Sequence, residues 1–156
     1  MIVDRRAAER LRQLLKIVER ELARLQSTDR RLFKQPFTAE RASSLNEDED
    51  LAERVEAFVS RFGRLQDTLG DKVFPIYLAA QGEKAGAFGE NLDRAERLGL
   101  VQDAQSWIDM RRLRNQMVHE YIEDPVVLAS ALQAGHDFVR RLEQSVTEIL
   151  RLVPAR

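Results

Sequence analysis

The chain has 156 residues, 44% hydrophobic and 33% charged, which suits a single domain with its own core, here residues 1–156. Its net charge of −1 gives no global argument for nucleic-acid binding. Because the chain has no cysteine, disulfides and thiolate zinc sites are excluded. Its two histidines, His119 and His136, are too few for a histidine-rich metal centre. No apolar run approaches the roughly 20 residues that span a bilayer, and the first residues lack a hydrophobic signal core. We therefore expect a cytoplasmic protein with no membrane partner and no metal or other cofactor.

The first half of the chain predicts two long helices. Over residues 4–32, leucines and valines recur at three- and four-residue steps, with arginine and glutamate on the other face, which is typical of an amphipathic helix. Residues 33–46 contain Pro36 and several small polar side chains, so we expect a loop there. The acidic run at residues 47–50 opens the next helix, where carboxylates complement the positive end of the helix dipole. That role accounts for the run without a metal ion.

The second helix has the most regular apolar seam in the chain, at Leu51, Val55, Phe58, Phe62, Leu65 and Leu69. This pattern predicts lengthwise packing against a partner helix. We expect Gly70 to cap this helix and residues 71–80, with Pro75, to continue it after a kink. Residues 81–89 are rich in glycine and alanine, but no strand precedes them and no GK[ST] follows. They therefore predict a connector and not a phosphate-binding loop.

The second half of the chain predicts one short and two long helices. A short helix over residues 90–98 should end at Gly99, and a long one should run over residues 103–121 with Asp103 as its N-cap. Asp124 and Pro125 predict the start of the last helix, over residues 125–152. No strand-like alternation is present. The sequence thus predicts an all-α fold: an up-and-down four-helix bundle with an additional short helix.

Arg114 has an unusual position on the helix predicted over residues 103–121. On an ideal wheel, Trp107, Met110, Met117, Val118 and Tyr121 all lie within about 60° of it. An arginine within an apolar stripe must be paired, or must line a cavity or an interface. Asn115 and His119 share a flank, and His119 lies about 140° around the helix from Arg114. This separation favours a site shared between two subunits.

Residues 114–121 read RNQMVHEY, which matches the R-x4-H signature of HEPN domains, with a polar residue directly after the arginine. They also match the longer R-x4-H-x-Y form of HepT-like proteins, the partners of minimal nucleotidyltransferases. Two preceding segments, FVSRFGRLQDTLGDKVFP and NLDRAERLGLV, are similar to the same family. The chain therefore resembles HepT-like members of the HEPN superfamily, by motif over residues 50–125 and by helix order throughout.

This resemblance implies a homodimeric, metal-independent endoribonuclease toxin whose antitoxin is a cognate minimal nucleotidyltransferase. RNA cleavage by the 2′-hydroxyl would use His119 as the acid and base, since a histidine exchanges protons near neutral pH. Arg114 would neutralise charge on the phosphoryl oxygens, and Asn115 would position one of them or hold the histidine. Arg111 and Arg112 would add contacts to RNA. The resemblance also implies that Tyr121 is a target of AMPylation by the partner.

Several alternatives remain open from the sequence. The same fold could be a non-catalytic, substrate-binding partner subunit of a nucleotidyltransferase, or a helical scaffold whose seam at residues 51–69 binds a partner helix. Arg114 could be a buried ion pair with an acid such as Asp67 or Glu53. His119 could interact with the last carbonyls of its helix, and Tyr121 could be an aromatic at the bundle edge. For His136 we expect a structural role.

Overall fold

The structure, a computed structural model, describes residues 4–119 and 123–153, and within these ranges it is helical with no strand, which confirms the all-α class. In chain order the α-helices are α1 (Arg5–Leu32), α2 (Ala39–Ser43), α3 (Glu49–Asp67), α4 (Phe74–Ala80), α5 (Phe88–Arg97), α6 (Ala104–His119) and α7 (Pro125–Leu152). A 3-10 turn at Ser44–Asn46 precedes α3, and a π-helical segment at Thr68–Val73 joins α3 to α4.

Aspartates begin the long helices, as the sequence predicts at Asp103 and Asp124. The side chains of Asp4, Asp48 and Asp124 accept hydrogen bonds from backbone N–H groups in the first turns of α1, α3 and α7. Asp103 does the same for Gln105 at the start of α6. The predicted loop over residues 33–46 differs in containing α2. A helix forms there because the Thr38 hydroxyl accepts the backbone N–H of Arg41 and so caps the short turn.

The prediction that Gly70 caps the second helix is wrong. The helical path continues through Gly70 in the π-helical segment and into α4, with Pro75 in the first turn of α4. Gly70 allows a close approach instead: a Cβ on this residue would lie 2.9 Å from a ring carbon of Phe88. At Gly99 the prediction is confirmed, since this residue follows the end of α5 with a φ of 79°.

The four long helices enclose one hydrophobic core. Helix α1 packs against α3, α4 and α7, while α6 packs against α3, α5 and α7. Aromatic rings in contact with one another form the centre. They include four residues for which the sequence favours a core position, together with Phe74: Phe58, Phe62, Trp107 and Phe138. Such rings bury large apolar areas. The core therefore fixes α6 with Trp107 inward, which in turn places Arg114 opposite α3.

The apolar seam of α3 is used within the chain. Its six side chains, at Leu51, Val55, Phe58, Phe62, Leu65 and Leu69, are all at most 7% exposed and belong to the core. This burial leaves no free seam for a partner helix, so the scaffold alternative is wrong. Among residues 4–119 and 123–153, no helix combines the length and hydrophobicity that a membrane crossing requires.

Candidate functional site

A groove of about 930 Å³ lies along α3 and the π-helical segment, with α6 and the start of α7 as its other walls. We call it the α3–α6 groove. Its apolar lining includes Val55, Val59, Met117 and Leu128. Its charged lining consists of Glu56, Arg64, Asp67, Asp71, Lys72 and Arg114. A cavity of this size with a few convergent polar groups is the usual form of a ligand site.

Arg114 contributes a nearly buried cation to this groove. Its side chain is 12% exposed, and its Nη2 donates to Oδ1 of Asp67 at 2.5 Å. The Arg114 Nε is buried and has no hydrogen-bond partner among the described residues. Both sequence-based expectations for Arg114 are therefore confirmed: it forms an ion pair, with Asp67, and it lines a cavity. A desolvated guanidinium with donor capacity left over is suited to holding an anion.

Gly63 determines the path of the Arg114 side chain. A Cβ on Gly63 would lie 3.0 Å from Cδ and 3.5 Å from Nε of Arg114, so the arginine crosses α3 where a side chain is missing. No sequence-based expectation concerned Gly63. The available signal was a glycine inside the apolar seam of a long helix, a position that costs about 1 kcal/mol relative to alanine without a packing reason.

Arg111 forms a second ion pair one turn earlier on α6. Its Nη1 donates to Oδ1 of Asp71 at 2.9 Å, and its guanidinium lies 4.1 Å from the ring centroid of Phe88. Arg111 and Arg114 thus form two successive ion pairs along α6, with Asp71 and Asp67 respectively. The π-helical segment places Asp71 on the same side as Asp67, and such segments often occur at functional sites.

Among the described residues, the charges that line the α3–α6 groove balance, with three cations and three carboxylates. On the α1 side, Arg64 and Lys72 also act on Glu21 of α1. Burial raises the pKa of Glu21, and nearby Thr68, Arg64 and Lys72 partly oppose that rise. The groove is consequently not a uniformly positive cleft, and an anion entering it meets a cation that is already paired at Arg114.

The remaining predicted site residues are only partly brought together. Asn115 and Arg112 are exposed on α6, and neither shows a hydrogen bond or ion pair with another described residue. His119 is the last residue of α6, and its side chain lies outside the described part of the structure. The Tyr121 prediction also falls outside the described residues. The structure therefore tests the setting of Arg114 and Arg111 but not the Arg114–His119 geometry.

Val118 departs from the buried position that the wheel assigns to it. It is 50% exposed, and Val126 and Val127 at the start of α7 are 65% and 51% exposed. The stripe is buried at Trp107 but opens toward the end of α6, because this end extends along the groove and not over the core. These three valines, at the end of α6 and the start of α7, are large apolar side chains left exposed, and we call them the valine patch.

His136 lies elsewhere, between α7 and α1. Its Nδ1 is 2.7 Å from Oδ1 of Asp29, and its ring stacks on Phe33 at 4.3 Å between centroids. The structural role expected for His136 agrees with these contacts. No group of three or more metal-ligating side chains occurs in the described ranges. Comparison of the chain with protein-family models, curated proteins and solved structures finds no match.

Proposed function

We propose that this chain is a HepT-like HEPN ribonuclease, a metal-independent endoribonuclease toxin. In the proposed reaction, a 2′-hydroxyl group of the RNA attacks the adjacent phosphate. The observation that carries the proposal is the setting of Arg114. A nearly buried arginine lines a groove of about 930 Å³ on the penultimate long helix, five residues before a histidine at the helix end. That is the arrangement expected of the R-x4-H motif if the motif is functional.

The chemistry requires a cation and proton transfer, and no nucleophile from the protein. The 2′-oxygen attacks the adjacent phosphorus while a base removes the hydroxyl proton, and the bond from phosphorus to the 5′-oxygen breaks as an acid protonates the leaving oxygen. His119 supplies this acid and base chemistry, with a second His119 available in a dimer. Arg114 stabilises the charge on the phosphoryl oxygens, and the exposed Asn115 positions one of them. The products are a 2′,3′-cyclic phosphate and a free 5′-hydroxyl.

The proposed fold is an up-and-down four-helix bundle of the HEPN type. Contacts at both ends of neighbouring helices support it. Asp71 follows Asp67 in the chain, whereas its partner Arg111 precedes Arg114, the partner of Asp67. Helices α3 and α6 are therefore antiparallel. The contacts of α1 follow the same rule. Thr28, near the end of α1, meets Arg61 of α3, and Asp4, at the start of α1, meets Ala80 at the end of α4. Gln26 and Asp29 meet Glu143 and His136 of α7, again in reversed order.

A homodimer with a composite site is part of the proposal. The valine patch lies beside the groove, where Val118 is both exposed and part of the lining. Covering such a patch with a second copy would remove apolar surface from water. It would also bring a second motif to the same groove. Arg114 of one copy could then act with His119 of the other, although the two residues lie about 140° apart on one helix.

Regulation by a minimal nucleotidyltransferase antitoxin follows from the same motif. AMPylation of Tyr121 would add a bulky anionic nucleotide two residues from His119. That group would compete with RNA for Arg114 through the same phosphate chemistry. We propose that the module acts in the cytoplasm, where its RNA substrate is present.

Expression of the chain alone, compared with the Arg114→Ala and His119→Ala variants, tests the ribonuclease. We expect growth arrest and RNA cleavage from the wild type and at least about a 100-fold loss of cleavage in both variants, because each removes charge stabilisation or proton transfer. Cleavage is measured on purified protein whose mass in solution is determined by light scattering. Arg10→Ala on α1 is the control and should cleave like the wild type, since this exposed arginine lies outside the motif and the groove lining and shows no hydrogen bond or ion pair with another described residue.

The second candidate is a non-catalytic, substrate-binding partner subunit of a nucleotidyltransferase. The balanced charge of the groove lining favours it, because three carboxylates oppose a long polyanion more than they oppose one small anion. A wild-type protein that leaves growth and RNA intact, yet binds a nucleotide in an Arg114-dependent manner, would identify this function.

A further inference from the structure

Arg114 is held in place by packing and not only by its ion pair. Its aliphatic part lies against Gly63, with Cγ and Cδ 3.4 Å and 3.0 Å from the position that a Cβ would take, and its side chain is only 12% exposed. Side chains in close packing keep one rotamer. The guanidinium should therefore stay at the groove wall when its charged partner is removed.

Asp67 has the opposite character. Its side chain is 41% exposed, it lines the groove, and it contacts Arg114 through one oxygen only. An ion pair with an exposed partner contributes little free energy because water competes for the exposed charge, here the Asp67 carboxylate. Asp67 therefore occupies the donor face of Arg114 without a large stabilising role, and it does so from within the groove.

From this geometry we infer that Asp67 is a built-in competitor for the anion that Arg114 binds. The carboxylate occupies Nη2 in the free protein, and a phosphodiester oxygen of single-stranded RNA replaces it on binding. This inference rests on the proposed function and names a regulatory residue of the same groove. Asp67 lowers the affinity for RNA, so that only a strand making further contacts displaces it.

Asp71 provides a matched control for this role. It carries the same charge, lines the same groove and pairs with an arginine of the same helix, but that arginine is Arg111. Arg111 lies against the Phe88 ring and, unlike Arg114, is not part of the groove lining. A general gain in positive charge would act equally through both aspartates, whereas competition for Arg114 acts through Asp67 alone.

The test measures binding of a fluorescent, single-stranded 2′-O-methyl RNA, which lacks the hydroxyl needed for cleavage, by anisotropy at fixed salt. Asp67→Asn should bind about fivefold more tightly than wild type, and Asp71→Asn less than about twofold more tightly. Asp67→Glu, which keeps the charge, should show no gain. In an Arg114→Ala background the gain from Asp67→Asn should disappear, as a double-mutant cycle requires for a direct interaction. Thermal unfolding of each variant verifies that it is folded.

Equal gains from Asp67→Asn and Asp71→Asn, a gain that survives Arg114→Ala, or weaker binding by Asp67→Asn would each overturn the inference. Weaker binding would mean that Asp67 positions Arg114 and does not compete for it. Cleavage of unmodified RNA, assayed in parallel, separates the two proposals. Cleavage without the Asp67→Asn gain sinks the competitor role alone, and the gain without cleavage sinks the ribonuclease alone.

Discussion

Two interhelical faces of this protein use pairs of polar side chains to different ends. Between α1 and α7, Asp29 pairs with His136, whose ring stacks on Phe33, and Gln26 donates to Glu143 at 2.6 Å. These polar contacts close a seam over the core. Between α3 and α6, the pairs border an open groove of about 930 Å³.

The two faces differ in which polar groups remain exposed or without a hydrogen-bond partner once the side chains have paired. Asp29 is 14% exposed and its partner ring is stacked on Phe33. Asp67 is 41% exposed, and Arg114 retains a buried Nε that has no hydrogen-bond partner in the described part of the chain. A buried polar pair holds two helices together. Where one partner is exposed beside a cavity and the other has an unused donor, a ligand can replace the exposed partner. We therefore assign function to the α3–α6 face and stability to the α1–α7 face.

The largest stability effect should come from the α1–α7 face. His136→Ala leaves Asp29 with little exposure and without its hydrogen-bond partner, which should lower the free energy of unfolding by about 1 to 2 kcal/mol. RNA cleavage at a temperature where the variant is folded should equal that of wild type. Denaturant unfolding and initial cleavage rates measure the two. Lost cleavage in a folded variant would contradict the division between the faces.

A smaller effect, and one on activity, is expected at Gly63. A Cβ in Gly63→Ala must displace Arg114, and shifts of less than 1 Å at a reacting group cost roughly tenfold in rate. Stability should change by less than about 1 kcal/mol, because the gain in helix propensity offsets the crowding. The control is Gly89→Ala in α5, where an added Cβ meets no atom within 4 Å. Comparable cleavage by both variants would show that the path of Arg114 is not critical.

The smallest effect concerns pH. Burial raises the pKa of Glu21, so the folded state binds its proton more readily than the unfolded state. Stability therefore falls as pH rises from the usual value of 4.5 through the raised folded value. Glu21→Gln removes this dependence and should raise Tm at pH 7 by about 1 to 3 °C, with no difference below pH 4. A Tm gap that persists at low pH would contradict a charge-based cause.

The sequence predicts the helices well because local signals determine them. Aspartate caps mark the starts of α1, α3, α6 and α7, and Gly99 follows the end of α5. Gly70 was misassigned because a π-helical segment has no local sequence signal that separates it from a cap. The feature that Gly70 serves is a tertiary contact, the close approach of Phe88, which a local pattern does not reveal.

For the candidate site, the wheel position of Arg114 predicted pairing or a cavity, and both occur. It could not select Asp67 over Glu53, because that choice depends on the register of α6 against α3. The helical wheel placed Val118 on the apolar stripe, but its side chain is exposed. The apolar pattern of a helix does not indicate where along the helix the core ends.

The most direct test of the central claim is the chemistry of the RNA ends. Purified wild-type protein and the Arg114→Ala and His119→Ala variants are incubated with a labelled single-stranded RNA in the presence of EDTA. The account predicts that wild type cleaves without metal and leaves 2′,3′-cyclic phosphate ends, and that both variants leave the RNA intact. Intact RNA with wild type, or equal cleavage by all three proteins, would contradict it.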